Sequence, residues 1–282
     1  PGTVSVEMAN GDENEMLIPK NVIIATGSRP RSLPGLELDG ENVLSSDEAL
    51  ELEQLPASML IVGGGVIGIE WASMLNDFGV DVTVIEYADR ILPTEDADIS
   101  REMQAQLAKK GITMITGAKV LPDTLEKGDA VSIQAEKDGE KQSYSAEKML
   151  VSVGRQANIE GIGLENTDIQ VENGFIVTNS MYQTKESHIY AIGDVIGGLQ
   201  LAHVASHEGI TAVEHIAGEN PHAIDYSLVS KCIYSSPEAA SVGLTEGEAK
   251  AQGKSVKVGK FPFQAIGKAL VYGETDGFVK II

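Results

Sequence analysis

The clearest pattern of apolar and polar positions in the chain lies over residues 59–86. An apolar run over residues 59–62 predicts a buried strand that leads directly into a glycine-rich turn. Apolar side chains then recur at helical spacing, which predicts an amphipathic helix that ends near Gly79. Alternating valines follow and predict a second strand that ends at Glu86. The apolar positions are Ile67, Trp71, Met74, Leu75 and Phe78 in the helix and Val80, Val82 and Val84 in the second strand.

The glycines between the first strand and the helix predict a dinucleotide-binding turn. Gly63, Gly65 and Gly68 have the Gly-x-Gly-x-x-Gly spacing in the strand-to-helix position that this fingerprint requires. Gly63 would let the chain turn, Gly65 would let a pyrophosphate approach the backbone, and Gly68 would let the helix pack closely. The helix N-terminus would then present free N–H groups to the pyrophosphate. The alternative is that these glycines serve only a tight turn.

Glu86 indicates which dinucleotide would bind. It follows Gly68 by 18 residues, close to the spacing of about 20 at which an acidic residue accepts hydrogen bonds from the ribose of NAD. A carboxylate at this position would repel the 2′-phosphate of NADP, and Arg90 is the only cation among the neighbouring residues. The sequence therefore favours NAD over NADP.

A second candidate site follows the strand predicted over residues 188–192. This strand ends in Gly193 and Asp194. An aspartate at the carboxyl end of a parallel strand points toward the crevice in which ligands bind. Asp194 could equally cap a helix or a turn, so both roles remain open on the residues alone.

Composition restricts the partners of the chain. The net charge of −21 argues against nucleic acid and anionic membranes. Local backbone dipoles would therefore have to hold an anionic cofactor. There is no signal peptide and no apolar run long enough to cross a bilayer, and a single cysteine suits a reducing compartment, so we expect a cytoplasmic protein.

The single cysteine and the histidines offer little chemistry by themselves. Cys232 lies in a strand-like run without a partner cysteine, so we expect a buried structural thiol. His203 and His207 are four residues apart on a predicted helix, a spacing that can chelate zinc. Apart from Glu208 on the next face and His215 two turns on, no third ligand lies near them in the sequence, so we expect a solvated helix face and no metal site.

Several short motifs occur together in one order and spacing. They are Ala25-Thr26-Gly27, the block over residues 63–70, Gly154-Arg155, the YAIGD run over residues 190–194, and Leu201-Ala202-His203. In this order and spacing the chain resembles the pyridine nucleotide–disulfide oxidoreductases, and among them it is most similar to the dihydrolipoamide dehydrogenases over essentially its whole length. A later run over residues 235–246 resembles the start of that family's dimer-interface domain, although Ser235-Ser236-Pro237 differs from the expected Thr-x-Pro.

The resemblance implies an α/β fold with a Rossmann-like NAD domain inserted in a split FAD domain, followed by an α+β interface domain. The first FAD segment would cover residues 1–46, the NAD domain 47–158, the second FAD segment 159–222, and the start of the interface domain 223–282. It also implies two sets of cofactor-binding residues. For NAD they are Gly63, Gly64, Gly65, Val66, Ile67, Gly68, Glu70, Glu86, Val120 and Gly154, and for FAD they are Thr26, Gly27, Ser28, Asp194, Gln200, Leu201, Ala202 and His203.

The departures from the family matter equally. The first FAD fingerprint, the redox-active CxxxxC and the C-terminal His-Pro-Thr-x-x-Glu segment do not occur in the chain. We therefore expect an internal fragment that carries cofactor-binding residues and no catalytic residue. Both ends look cut, since the chain starts on Pro1 and stops within a strand-like run.

For the intact enzyme, the resemblance implies a homodimer that oxidises protein-bound dihydrolipoamide with NAD⁺. Its partner would be the lipoyl-bearing acyltransferase of a 2-oxo acid dehydrogenase complex. Alternatives are a mercuric, coenzyme A-disulfide or glutathione-type reductase, or a pyridine nucleotide transhydrogenase. A non-catalytic NAD-binding module is the alternative from a different class.

Overall fold

The computed structural model describes residues 2–11 and 13–282. The chain forms two compact units. The first contains the residues up to Arg29 together with Arg155–Tyr226, and the second contains Pro30–Gly154 together with Ser227–Ile282. The bounds of the four segments that the family resemblance implies remain predictions.

The regular elements of the described residues are mostly short strands. The helices are α1 (Ser46–Leu50), α2 (Val66–Asp77), α3 (Ala97–Lys109), α4 (Ala202–Ile216), α5 (Glu246–Ala251) and α6 (Gly267–Tyr272). The strands are β1 (Val4–Val6), β2 (Glu15–Leu17), β3 (Val22–Ile24), β4 (Ser28–Pro30), β5 (Val43–Leu44), β6 (Ser58–Val62), β7 (Asp81–Ile85), β8 (Thr113–Ile115), β9 (Lys119–Lys127), β10 (Val131–Lys137), β11 (Glu140–Ala146), β12 (Lys148–Val151), β13 (Arg155–Ala157), β14 (Val171–Glu172), β15 (Phe175–Ile176), β16 (Ile189–Ala191), β17 (Lys231–Ile233), β18 (Ala239–Ser241), β19 (Gly259–Pro262) and β20 (Phe278–Ile281).

The second unit is built on a five-stranded parallel sheet in the order β5-β12-β6-β7-β8. Alternate residues of β6 enter different apolar clusters, because successive side chains of a strand point to opposite faces. Met59 and Ile61 pack with α2 and α3, whereas Leu60 and Val62 pack with the antiparallel sheet β9-β10-β11. Both faces of the parallel sheet are therefore covered, which explains the continuous apolar run in β6.

The residues that helix α2 buries differ from the apolar positions that the sequence predicts. Leu75 is buried as expected, but Met74 and Phe78 are exposed. The other buried positions are Gly68, Ile69, Ala72 and Ser73, of which only Ile69 has a large side chain. The three small residues let the helix lie close to the sheet, while Met74 and Phe78 reach solvent.

The C-terminal segment packs against the same unit through polar contacts. Lys280 is almost fully buried and its ammonium lies 2.8 Å from Asp96, 3.0 Å from Asp98 and 2.7 Å from Glu246. Burial alone would raise the pKa of Asp96, but the hydrogen bonds from Lys280 and two backbone N–H groups outweigh it and lower that pKa. The hydrogen bond from Lys280 likewise lowers the pKa of Asp98.

The first unit contains a parallel pair of strands, β3 and β16, in which Ile23 lies opposite Tyr190. The strand that the sequence predicts over residues 188–192 is present in shorter form as β16. The strand β16 leads into a short 3-10 helix, Gly193–Ile196, and α4 follows. The parallel pairing therefore places the C-terminal ends of β3 and β16, which are far apart in the sequence, side by side.

Cys232 is exposed, so the expectation of a buried thiol was wrong. In the part of the chain that the structure describes, its strand β17 pairs with β18 alone, and Ile233 takes the buried position. Because side chains alternate along a strand, Cys232 points to the opposite, open face.

None of the helices in the part of the chain that the structure describes is long and apolar enough to cross a membrane.

Candidate functional site

The turn between β6 and α2 excludes side chains at two of its glycines. Gly63 has a φ of +111°, and a Cβ there would lie 2.4 Å from the carbonyl oxygen of Ser152. A Cβ on Gly68 would lie 2.0 Å from the carbonyl oxygen of Gly63 and 2.7 Å from the Ser152 hydroxyl oxygen. These contacts are too close for any other residue, which agrees with the roles expected of both glycines.

Gly65 differs from these two glycines because protein atoms do not crowd it. A Cβ on Gly65 would meet no atom within 4 Å, so packing does not require a glycine at this position. Gly65 is the N-cap of α2, and the helix start has neither a side-chain cap nor an acidic residue in its first turn. Open space at an uncapped helix N-terminus suits an anionic group such as a pyrophosphate.

The Glu86 carboxylate is tied to the same turn by backbone donors. One carboxylate oxygen accepts a hydrogen bond from the Gly64 N–H at 2.5 Å, and the other accepts one from the Ala88 N–H at 2.6 Å. A carboxylate has about four acceptor positions, so each oxygen can still accept a hydroxyl. Glu86 is therefore oriented at the end of β7 with free acceptor capacity beside the glycine turn.

These residues border a cleft with a volume of about 780 Å³, which lies within the usual range for cofactor sites. Five residues that the sequence assigned to NAD line it, whereas Gly64, Val66, Ile67, Gly68 and Glu70 do not. The residues lining the cleft are Arg31, Leu33, Pro34, Val62, Gly63, Gly65, Ile85, Glu86, Tyr87, Pro93, Thr94, Ala118, Lys119, Val120, Pro122, Ser152, Val153 and Gly154.

Glu70 contacts the C-terminal segment of the chain. Its carboxylate accepts a hydrogen bond from the Tyr234 N–H at 2.7 Å, in the C-terminal segment. The side chain therefore contacts the start of that segment and lies outside the lining of the cleft.

Sequence reasoning missed three polar residues of the cleft. The Ser152 hydroxyl donates to the carbonyl oxygens of Val62 and Gly63 at 3.2 and 3.1 Å, which fastens β12 to the glycine turn. Arg31 and Lys119 add positive charge to a cleft in a strongly acidic chain, in addition to the backbone dipoles expected there. No local pattern in the sequence indicates these three positions.

A second cluster of polar side chains lies in the first unit and consists of Ser28, Arg155 and Asp194. The Ser28 hydroxyl donates to the Asp194 carboxylate at 2.5 Å. The Arg155 side chain donates to the Ser28 hydroxyl at 2.6 Å and to its carbonyl oxygen at 2.9 Å. The Arg155 Nε atom also lies 3.7 Å from the Asp194 carboxylate.

Asp194 does not act as a helix cap. Neither the 3-10 helix Gly193–Ile196 nor α4 has a side-chain capping bond at its start. The partners described for the Asp194 carboxylate are Ser28 and Arg155, so a helix cap has no geometric support.

The Thr26–Ser28 turn is held from the other side by Asn158. The Thr26 hydroxyl donates to the Asn158 carbonyl oxygen at 2.7 Å, and the Asn158 side chain returns a hydrogen bond to the Thr26 carbonyl oxygen at 2.9 Å. Gly27 has a φ of +68° and accepts a hydrogen bond from the Asn158 N–H at 2.9 Å. The backbone of the turn is therefore fixed before any ligand binds.

Gln200 provides an independent sign that a ligand belongs near α4. Its side-chain nitrogen is buried and has no hydrogen-bond partner among the described residues. A buried donor without a partner costs free energy, so a ligand acceptor at this position would relieve that cost. Leu201 is the N-cap of α4, and Ala202 and His203 are exposed in its first turn.

The histidines of α4 show no metal-binding arrangement. Both His203 and His207 are exposed. Residues 2–11 and 13–282 contain no group of three or more histidine, cysteine, aspartate or glutamate side chains that could hold a metal ion.

Comparison with known proteins decides the family. A family model described as pyridine nucleotide-disulphide oxidoreductase matches residues 2–209. The chain belongs to this family. The model of the family's dimerisation domain matches residues 229–282, and the resemblance inferred from the sequence motifs is confirmed. FAD and NAD(H) are the cofactors of the pyridine nucleotide-disulphide oxidoreductases.

Among curated relatives, the dihydrolipoyl dehydrogenase of Bacillus subtilis (strain 168) is 78% identical over 283 residues. The match covers 100% of this chain and 60% of that relative. The dihydrolipoyl dehydrogenase of Rhizobium etli is 47% identical over 267 residues, covering 93% of this chain and 55% of the relative. The chain thus spans less than two thirds of the length of these relatives.

Solved structures of the family share the fold. LpdA from Mycobacterium tuberculosis superposes with a TM-score of 0.89 at 30% identity, covering 98% of this chain and 60% of that one. The Cu(II) complex of the HOCl-induced flavoprotein disulfide reductase RclA from Escherichia coli gives a TM-score of 0.87 at 29% identity, covering 99% of this chain and 62% of that one. The predicted α/β fold class is confirmed.

Proposed function

We propose that the full-length protein is an FAD-dependent, NAD-linked oxidoreductase that oxidises protein-bound dihydrolipoamide to lipoamide and reduces NAD⁺. The observation that carries this proposal is the 78% identity, over the whole of this chain, to the Bacillus subtilis dihydrolipoyl dehydrogenase. Because the chain spans 60% of that relative, the activity is proposed for the full-length protein.

In this proposal the cleft of the second unit holds NAD. Gly65 and the start of α2 bind the pyrophosphate, because this helix end is open and uncapped. Glu86 accepts hydrogen bonds from the ribose hydroxyls while its backbone donors keep the carboxylate in place. Val120 and Gly154 line the same cleft. Ser152 keeps the glycine turn in its binding conformation.

The first unit contributes part of the FAD site. Asp194, held by Ser28 and Arg155, binds the ribitol hydroxyls of FAD. The backbone around Gly27 and the start of α4 contact the remainder of FAD, and the Gln200 amide gains an acceptor. Bound FAD would supply electron transfer between the dithiol and NAD⁺. No residue of this chain is assigned to the dithiol chemistry.

The proposed assembly is a homodimer in the cytoplasm. It rests on the match of residues 229–282 to the family's dimerisation domain. The proposed partner is the lipoyl-bearing acyltransferase of a 2-oxo acid dehydrogenase complex.

The test is a substrate comparison with the purified full-length protein. We expect bound FAD and rapid reduction of NAD⁺ by dihydrolipoamide, with much slower reduction of NADP⁺. Glutathione disulfide, coenzyme A disulfide and Hg(II) are assayed in parallel as oxidants of NADH. A higher kcat/KM with one of these oxidants than with lipoamide would contradict the proposed substrate, and an absence of flavin would contradict the proposed class.

A further inference from the structure

Glu208 in α4 is a buried carboxylate that the proposed function does not yet use. Its side chain is 2% exposed, and it forms no salt bridge within the described residues. A buried carboxylate without a cation needs strong hydrogen-bond donors. Glu208 has two, the Gly193 N–H at 2.6 Å and the Tyr226 hydroxyl at 2.7 Å.

The first of these donors directly precedes Asp194. Gly193 has a φ of +73°, and a Cβ there would lie 3.3 Å from the Ala205 Cβ, so the residue is held tightly against α4. The hydrogen bond from the Gly193 N–H to Glu208 fixes the peptide plane between Ile192 and Gly193, one residue before Asp194. Glu208 therefore holds the backbone that leads into Asp194, whose carboxylate accepts the hydrogen bond from Ser28.

We propose that Glu208 is a positioning residue for flavin binding, which anchors the Gly193 N–H and thereby aims Asp194 at the ligand. This inference rests on the proposed function, because it assumes that Asp194 binds FAD. Glu208 itself need not touch the flavin, so the residue acts through the backbone of the preceding loop.

The second donor supplies a matched control. The Tyr226 hydroxyl donates to Glu208 and lies 3.1 Å from the Tyr182 hydroxyl. Burial and the hydrogen bonds to Tyr182 and Glu208 raise the pKa of Tyr226, so the phenol stays neutral and keeps its proton. Tyr226→Phe removes this branch of the network and leaves the bond between Glu208 and Gly193 in place.

The experiment uses the full-length protein with Glu208→Ala, Glu208→Gln, Tyr226→Phe and Asp194→Ala. For each variant, apo-protein is titrated with FAD to measure Kd, the visible circular dichroism of bound flavin is recorded, and the Tm of the apo-protein is determined. We expect Glu208→Ala to raise the FAD Kd about tenfold or more, because flavin binding would then have to order the backbone of Gly193 and Asp194. Glu208→Gln should stay within about threefold of wild type, because its amide oxygen can still accept from Gly193.

Tyr226→Phe should lower the Tm of the apo-protein yet leave the FAD Kd within about threefold of wild type and the flavin spectrum unchanged. If Glu208→Ala does not fold, Glu208→Asp replaces it, since the shorter side chain keeps the charge but withdraws it from Gly193. A purely structural role predicts that FAD affinity falls in step with Tm in every variant, and that result would overturn the inference.

The experiment also separates this inference from the proposed function. Normal FAD affinity in the Glu208→Ala variant, together with flavin loss in Asp194→Ala, would refute only the role of Glu208. Normal FAD affinity in Asp194→Ala, or a wild-type protein without flavin, would refute the proposed flavin site and this inference together.

Discussion

Replacing Glu86 by arginine should exchange the cofactor preference and also weaken the fold around the glycine turn. The carboxylate accepts hydrogen bonds from the Gly64 and Ala88 N–H groups, and in the proposed complex it also accepts the ribose hydroxyls. Arginine has no acceptor, so all of these bonds are lost, while its positive charge suits a 2′-phosphate.

The size of the effect follows from the number of bonds. A hydrogen bond to a charged group contributes about 1.5–3 kcal/mol, so losing the ribose contact should weaken NADH binding roughly ten- to a hundredfold. The two backbone donors lose the same acceptor. Because Glu86 is only half-buried, water can replace part of that loss, and we expect a fall in Tm of several degrees instead of unfolding.

The assay compares kcat/KM for NAD⁺ and NADP⁺ in the full-length protein and records Tm for each variant. Glu86→Gln keeps one acceptor and the shape but removes the charge, so its cofactor ratio should lie between those of wild type and Glu86→Arg. Glu140→Arg makes the same change of net charge at an exposed position of β11 outside the cleft and should leave the ratio unchanged. An unaltered cofactor ratio in Glu86→Arg would refute the assignment of Glu86 to the ribose.

Three further outcomes are expected. Asp194→Ala in the full-length protein should release FAD on gel filtration, whereas a variant that keeps stoichiometric flavin and loses only about 1 kcal/mol of stability would indicate a structural role. Lys280→Met should lower the free energy of unfolding by about 3–5 kcal/mol at pH 7, because it leaves the buried Asp96 carboxylate without its cation; a change below about 1 kcal/mol in a denaturant titration would contradict this. The folded-state pKa values of Asp96 and Asp98 are lowered. Their contribution to the free energy of unfolding is therefore complete above about pH 4 and is lost as the pH falls further. Lys280→Met should largely abolish this pH dependence. Residues 1–282 expressed alone should bind NADH but hold no FAD, because the first FAD fingerprint does not occur in the chain. They should show no lipoamide reduction, because a dithiol relay needs two thiols and the chain has a single cysteine. Dithiol–disulfide turnover by this chain would contradict the prediction.

The glycine turn was predictable from the sequence because its determinants are local. Gly63 and Gly68 interact with each other within one strand–turn–helix unit, and Glu86 ends the next strand. The periodicity of the intervening residues fixes these distances without knowledge of the rest of the fold. The same local reasoning placed β16 correctly, although it is shorter than expected.

The rest of the site depends on which strands become neighbours. Ser152 lies 89 residues after Gly63 and reaches it because β12 is next to β6 in the sheet. Arg155 similarly meets Ser28 across 127 residues. Cys232 was misjudged for a related reason, since its burial depends on what covers the open face of β17 and not on its own apolar neighbours.

Helix α2 connects the cofactor cleft to the C-terminal segment, and this affects how variants of Glu70 should be interpreted. The N-terminus of α2 borders the cleft, while Glu70 and Ser73 on its side accept hydrogen bonds from the Tyr234 and Ser236 N–H groups at 2.7 and 2.9 Å. Removing the Glu70 carboxylate would therefore loosen the segment that matches the dimerisation domain even if Glu70 does not contact NAD. Ser73→Ala disturbs the same contact one turn further from the cleft. A loss of NADH affinity in a Glu70 variant supports direct contact between Glu70 and the cofactor only under one condition. Ser73→Ala, with a comparable loss of stability, must keep the NADH affinity of the wild type.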